Sequence, residues 1–435
     1  MNFRKLTTHK SLAVLPLLAV FASCSKDPDN MPVPVNSTIT IENVLQSQPL
    51  VESGTFQQSG SSPVVMPGES VSFQFSAAKG EAVSFAMMYG WSNDLFFAPA
   101  APGIQVYDAG GDPIEGDVSS EVKLWDNGTR VNQHPGASVM HPGTAEATPG
   151  KVTEVKGTDA QGNTYLPASS LVSATLKYNG NSMFTLTIKN ISGGTANATP
   201  FSPGVWAISY IVGGNLLDAN PLYTEGQPSA NGLTDIAEMG DPTKLYSYVK
   251  GITGIFTPLS PVLVVVYHGI SNPVYTAGQA DAGHGLTALA QKGDASGLAA
   301  YLKTVKGVKN VYVLAAASTT VLLPSIGGQL GSSVSQQLSV TPGDKVAIAT
   351  MYGFSNDWFF ATKGEIDATQ HGDISTQVGL FDDGTAVNQF PGAGVTQVNL
   401  AGMPITESKP VSEVPNPNAF TTLPAIDQIL KVTLQ

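Results

Sequence analysis

Few side chains in this chain have the type and spacing that chemistry requires. No nucleophile-elbow pentapeptide, no phosphate-cradling glycine loop followed by lysine and no His-Glu-x-x-His segment occurs. Beyond the first 24 residues the histidines are His134, His141, His268, His284 and His371, and no two share a metal-ligand spacing on one predicted element. What recurs is aspartate. Ser92-Asn93-Asp94 and Ser355-Asn356-Asp357 both lead into a Phe-Phe-Ala segment, and Asp126-Asn127-Gly128 and Asp382-Asp383-Gly384 both close an apolar run. The last two read first as hairpin turns whose aspartates bond their own backbone. Catalysis is therefore not expected, and a hydrolase assembled from separated loops is the enzymatic alternative. One thiol remains, Cys24.

Cys24 follows Arg4, Lys5 and Lys10, an apolar run from Leu12 to Ala22, and small residues. That order is a secretory signal, too short to stay as a membrane-spanning helix. An exported protein usually pairs its cysteines, so a solitary one needs another use. Phe21-Ala22-Ser23-Cys24 resembles the bacterial lipoprotein processing site, which implies removal of residues 1–23 and acylation of Cys24. Ser25 followed by Lys26-Asp27 looks like the sorting context of outer-membrane lipoproteins. The expected partner at this end is outer-membrane lipid, held at roughly 0.8 kcal/mol per buried methylene. Residues 24–36 then read as a polar tether.

The aspartates sit in a repeat. VSFAMMYGWSNDLFFAP (Val83–Pro99) returns as VAIATMYGFSNDWFFAT (Val346–Thr362), and GDVSSEVKLWDNGTRVNQHPGA (Gly116–Ala137) returns as GDISTQVGLFDDGTAVNQFPGA (Gly372–Ala393), with a shorter interval between blocks in the second copy. STITIENV (Ser37–Val44) matches FTLTIKNI (Phe184–Ile191), and LVSATL (Leu171–Leu176) matches ILKVTL (Ile429–Leu434). These edges predict two units, residues 37–178 and 184–435. The second carries a doubled block, residues 202–250 and 260–303, in which an apolar strand precedes a helix pair; the first unit, on this parsing, is a shortened copy without it. Leu233, Ile236, Ala237 and Leu286, Leu289, Ala290 fall at helical spacing, with Asp241 and Asp294 placed to cap the following helices. These helices are expected to cover a sheet edge or end.

Only 12% of residues are charged, while Gly and Pro number 45 and 30. That composition favours short strands joined by turns over long surface helices. Val71, Phe73, Phe75 and, after a turn at Lys79-Gly80, Val83, Phe85, Met87 alternate at period two, which sends one face of each strand to a core. The predicted fold class is mostly β: tandem antiparallel sandwiches, the second with two short helix-pair insertions. Phe96, Phe97 and Trp125, with counterparts Phe359, Phe360 and Phe381, are expected between the sheets. The formal charge of −12, more negative once the leader is gone, excludes a nucleic-acid partner.

The succession SPGVWAIS, PLYTEGQPSANGL, AEMGD, PGD, MYGFSNDWFFA and LFDDGTAVNQFPGAG resembles the spondin domain in its bacterial form. The resemblance covers 184–435 apart from one duplicated block, and 37–178 as a shortened copy. It implies C2-like β-sandwiches and extracellular adhesion, with calcium at one end of each sandwich. The implied ligands are Asp357 and Asp382 in the second unit and Asp94 and Asp126 in the first. Where the family's turn ends in an acid, this chain has Arg130 and Ala386. Arg130 is expected to neutralise Asp94 and Asp126 as a metal would, leaving the first site metal-free. In the second, Asp383 next door and a carbonyl oxygen from Asn388 are expected to make up the set. The function expected is a non-enzymatic surface lipoprotein that binds an extracellular protein or glycan; a carbohydrate-handling accessory or scaffold protein is the alternative.

Overall fold

The computed structural model describes residues 33–435; the expected signal segment, Cys24 and most of the expected tether lie outside them. The fold is mostly β and built of two antiparallel sandwiches, as the period-two pattern predicts. Strands of five or more residues are numbered here in chain order. The first sandwich comprises β2 (Leu50–Phe56), β3 (Ser70–Ser76), β4 (Ala82–Tyr89), β5 (Leu95–Pro99), β6 (Val122–Asp126), β7 (Val172–Gly180), β8 (Met183–Asn190) and β9 (Phe201–Ser209). Its two sheets run β3-β8-β7 and β2-β9-β4-β5-β6. The second sandwich comprises β1 (Val35–Asn43), β10 (Val262–His268), β11 (Val308–Leu314), β12 (Ser333–Val340), β13 (Asp344–Met351), β14 (Trp358–Thr362), β15 (Val378–Asp382) and β16 (Leu430–Leu434). Its sheets run β12-β1-β16 and β11-β10-β13-β14-β15.

The strand partners redraw the borders expected from sequence. β1 opens the first repeat in the chain, yet it pairs with β12 and β16 of the second sandwich, Ile39 opposite both Gln336 and Leu434. β8, expected to open the second unit, pairs with β7 and β3 of the first. The first sandwich is thus an insertion between β1 and β10, and its strand order is a circular permutation of its neighbour's. The cause is local. Asn181 and Ser182 both take positive φ (54° and 64°), closing a two-residue hairpin of the kind that matches strand twist, so β8 must return along β7. The equivalent slot in the second sandwich is left for β1.

The doubled block is likewise shared out. Helices α1 (Leu233–Met239) and α2 (Thr243–Gly251) belong to the first sandwich, α3 (Leu286–Lys292) and α4 (Ser296–Leu302) to the second. Each pair covers the outer face of the larger sheet, not its edge. Leu233, Ile236, Leu245 and Val249 bury that face with Phe96 and Trp125; Leu286, Leu289, Leu298 and Leu302 do the same with Phe359 and Phe381. Of the aromatics expected between the sheets, only Phe97 and Phe360 lie there. Adjacent residues on a strand face opposite ways, so Phe96 and Phe97 cannot share a core. Asp241 Oδ1 accepts from the Thr243 N–H (2.9 Å) and Asp294 Oδ1 from the Ser296 N–H (2.9 Å), at the starts of α2 and α4.

Between the sheets of the first sandwich Phe73 stacks on Phe56 (5.1 Å) and on Trp206 (5.3 Å). The indole lies over Gly54, where a Cβ would approach its Nε1 to 2.7 Å. The opposed pair Trp206 and Gly54 becomes Val264 and Tyr312 in the second sandwich. The bulk moves to the other strand, so volume is conserved while sequence is not.

The sandwiches meet end to loop. Tyr210, just past β9, packs on Phe354 and Phe256 of the second (6.2 and 5.8 Å between centroids), and the Val395 N–H donates to Ser182 Oγ (2.7 Å). The loop end of the second sandwich is thereby covered by the base of the first, whose own loop end no other described residues cover. Among the described residues no helix is long and apolar enough to cross a membrane.

Candidate metal centre at the loop ends

Each sandwich lifts the same loops to one end. Asp94 immediately precedes β5 and Asp126 ends β6; Leu95 and Asp126 are register partners, so the two aspartates stand on adjacent strands. In the second sandwich Trp358 opposes Asp382 and brings Asp357 beside it.

The first-strand aspartates are bound identically. Asp94 Oδ2 accepts from the N–H groups of Thr129 (2.7 Å) and Arg130 (2.8 Å); Asp357 Oδ2 accepts from those of Thr385 (2.7 Å) and Ala386 (2.8 Å). Both carboxylates are fully buried, and the second oxygen of each has no hydrogen-bond partner. The turn aspartates behave as the hairpin reading expects: Asp126 Oδ1 accepts from Gly128 N–H and Asp382 Oδ1 from Gly384 N–H, 2.7 Å each. Their other oxygens accept from the amides of Asn132 (2.7 Å) and Asn388 (2.5 Å). Asn388 is thus an amide donor to Asp382, where the sequence suggested a carbonyl ligand; its amide follows the negative oxygen that faces it.

Arg130 also departs from expectation. Its guanidinium turns from Asp94 and Asp126 to Glu238 on α1 (Nη2–Oε2 2.7 Å), whose side chain is 7% exposed. Glu238 Oε1 further accepts from the Thr129 hydroxyl (2.7 Å). The reason is the redistributed helix pair: α1 belongs to this sandwich and supplies a carboxylate that the repeat parsing assigned elsewhere. In the second sandwich the matching residues are Ala386 and Gln291, so a neutral pair replaces the ionic one, and Gln291 donates to the Thr385 hydroxyl (3.0 Å). Sequence reading missed Glu238 and Gln291. The available signal was a polar residue at one matching position of AEMGD and AQKGD, beside the buried Ala237 and Ala290.

Asp383 occupies the place of Asn127. It is fully buried, its Oδ2 lies 2.9 Å from the Thr385 hydroxyl, and its Oδ1 is unpartnered. Burial, reinforced by the neighbouring Asp126 charge, pushes the Asp94 carboxyl up to about 7. Burial with Asp382 and Asp383 nearby raises that of Asp357, and burial lifts Asp383 to about 6. Such shifts mark carboxylates that lack a counter-charge.

The two ends therefore differ as hosts for a hard cation. The second joins Asp357, Asp382 and Asp383 with two orphaned carboxylate oxygens and no ion pair among the described residues. The first has one orphaned carboxylate oxygen, on Asp94, with unpartnered amide oxygens on Asn127 and Asn132. Donor type and charge in the second fit calcium, which takes oxygen ligands alone. No three His, Cys, Asp or Glu side chains among the described residues already form a metal cage.

The histidines stand apart from these loops or at their margin. His268 Nδ1 lies 2.8 Å from Asp344 Oδ1, which also takes Lys309 (2.6 Å); His284 stacks on Tyr301 with centroids 3.8 Å apart. His141 lines a cleft beside Trp91. Of the tryptophans, Trp125, Trp206 and Trp358 are buried and Trp91 is half-buried.

Compared with known proteins, the chain matches no family model and no curated sequence.

Proposed function

We propose that this protein is an outer-membrane lipoprotein, tethered through acylated Cys24, whose two spondin-like sandwiches bind an extracellular protein without catalysis, with calcium engaged in the second sandwich by Asp357 and Asp383. The observation that supports it most is the pair of buried carboxylates, Asp94 and Asp357, held identically with an oxygen unclaimed at the loop end of each copy. Burial of Trp125, Trp206 and Trp358 leaves Trp91, half-buried in a cleft, as the one tryptophan within reach of a ligand, which favours a protein ligand over a glycan stacked on a broad aromatic face. The second reading, a carbohydrate-handling accessory or scaffold protein, draws on the His284–Tyr301 ring pair beside a cavity of about 300 Å³.

Two measurements test the proposal. Calorimetric titration of the mature chain with Ca²⁺ is expected to show one saturable site, absent in the Asp357→Asn/Asp383→Asn variant; a titration without heat removes calcium from the reading. Matrix-protein and glycan arrays probed with the mature chain are expected to return protein ligands. Glycans alone would transfer the case to the second reading.

A further inference from the structure

The loop end of the first sandwich, uncovered among the described residues, carries a cleft of about 480 Å³. Trp91, Val64, Met88, Val139 and Met239 supply apolar walls, with Glu238 at one side. Met239 is 62% exposed, as is Met140 next to the lining residue Val139. Large apolar side chains grouped at a concave surface mark a binding region more often than scattered ones do.

The second sandwich shows what the same position accepts. There the equivalents of Met88, Gly90 and Met239 are Met351, Gly353 and Lys292. The cleft is filled by the chain's own 3-10 turn, Val398–Leu400, which packs against α3. Leu400 is buried in the core, and the Asn399 amide donates to the Gly353 carbonyl and approaches Met351 Sδ (3.9 Å). The rim is closed by the first sandwich: Tyr210 stacks on Phe354, the counterpart of Trp91, and Ser182 takes the N–H of Val395, the counterpart of Val139. In the first sandwich the loop between Ala137 and the bridge residue Ala145 is shorter than its counterpart from Ala393 to Thr406, and holds no such turn. Neither occupant has an equivalent there.

Resting on the reading of this protein as an extracellular protein binder, we propose that the cleft docks a turn of a partner protein that presents an apolar side chain next to an amide donor. The apolar side chain takes the place that Leu400 takes in the other copy, and the amide meets the Gly90 carbonyl as Asn399 meets that of Gly353. Trp91, half-buried where Phe354 is covered, closes over the segment.

The probe is a fluorescently labelled synthetic peptide with the sequence of residues 394–402, titrated into the full mature chain. Saturable binding is expected, weakened about tenfold or more by Met239→Glu, the loss of one well-made contact, and unchanged by Met403→Glu, an exposed methionine outside the cleft. Met239 is largely exposed, so its replacement leaves folding intact. Absence of saturation, or saturation that Met239→Glu does not alter, overturns the proposal. Self-association of the chain that Met239→Glu abolishes also overturns it, in favour of a second copy as occupant. Peptide binding with empty arrays would sink the function reading and leave the cleft standing; array ligands that Met239→Glu retains, with no peptide binding, would do the reverse.

Discussion

Arg130 and Glu238 show how one substitution at a loop end is answered by another on a helix. Both are largely withdrawn from solvent, 22% and 7% exposed at the side chain. Removing the guanidinium alone strands a buried carboxylate, which costs more than the pair contributes. Arg130→Ala is therefore expected to destabilise the first sandwich by about 2 kcal/mol, below the full buried-pair figure because Arg130 keeps some contact with water. Arg130→Ala/Glu238→Gln reproduces the Ala386 and Gln291 combination of the second sandwich and should recover most of that loss. A double-mutant cycle by urea denaturation measures both; additive effects would show that the two side chains are energetically independent.

At the level of elements, local turn chemistry decides which strand joins which sheet. Period-two alternation in STITIENV and FTLTIKNI says that both are half-buried strands, and says it equally of both. It carries no information about partners. The Asn181-Ser182 hairpin breaks the tie by returning β8 along β7, and β1 takes the vacant slot between β12 and β16. A fragment cut at the repeat border, residues 37–178, lacks β8, β9 and both helices of its sandwich, leaving β2 and β3 without a sheet partner and β4 and β7 each one neighbour short. It is expected to show no cooperative melt by circular dichroism, whereas residues 46–256 should melt in a single transition. Cooperative folding of 37–178 would refute the assignment of strands. The signal was legible in Gly180-Asn181-Ser182, a turn-former run between two alternating segments, but repeat matching alone passes over it.

Across the whole molecule, buried acids without counter-charges make stability depend on pH. Burial raises Glu52 and Asp94 to about 7, Asp383 to about 6, and Glu81 and Asp357 well above the ordinary carboxylate range. A raised acid binds its proton more tightly in the folded state. Its stabilisation is full below the unfolded value near 4 and is lost as pH rises through 6 to 7. Thermal melts should accordingly fall by roughly 5 °C or more between pH 5 and pH 8, at about 2–4 °C per kcal/mol. Calcium at pH 8 should restore part of the loss, and Asp357→Asn/Asp383→Asn should make the profile shallower, leaving the share of Glu52, Glu81 and Asp94, and erase the calcium response. A melting temperature that rises from pH 5 to pH 8 would mean that these carboxylates are already neutralised in solution.

By itself the amino-acid sequence determined the class of fold, the presence of two copies, the alternation of the strands and the matched aspartates of the two copies, because all of these are encoded in short-range pattern: alternation, turn residues and repetition. Tertiary structure alone decided that β1 crosses into the second sandwich, that one helix pair goes to each, that Arg130 turns to Glu238, and that among the described residues one of two equivalent clefts is filled and the other is not. Those outcomes depend on competition between near-identical segments for the same site. Such competition is settled by chain connectivity and by packing in three dimensions, and no local pattern records it.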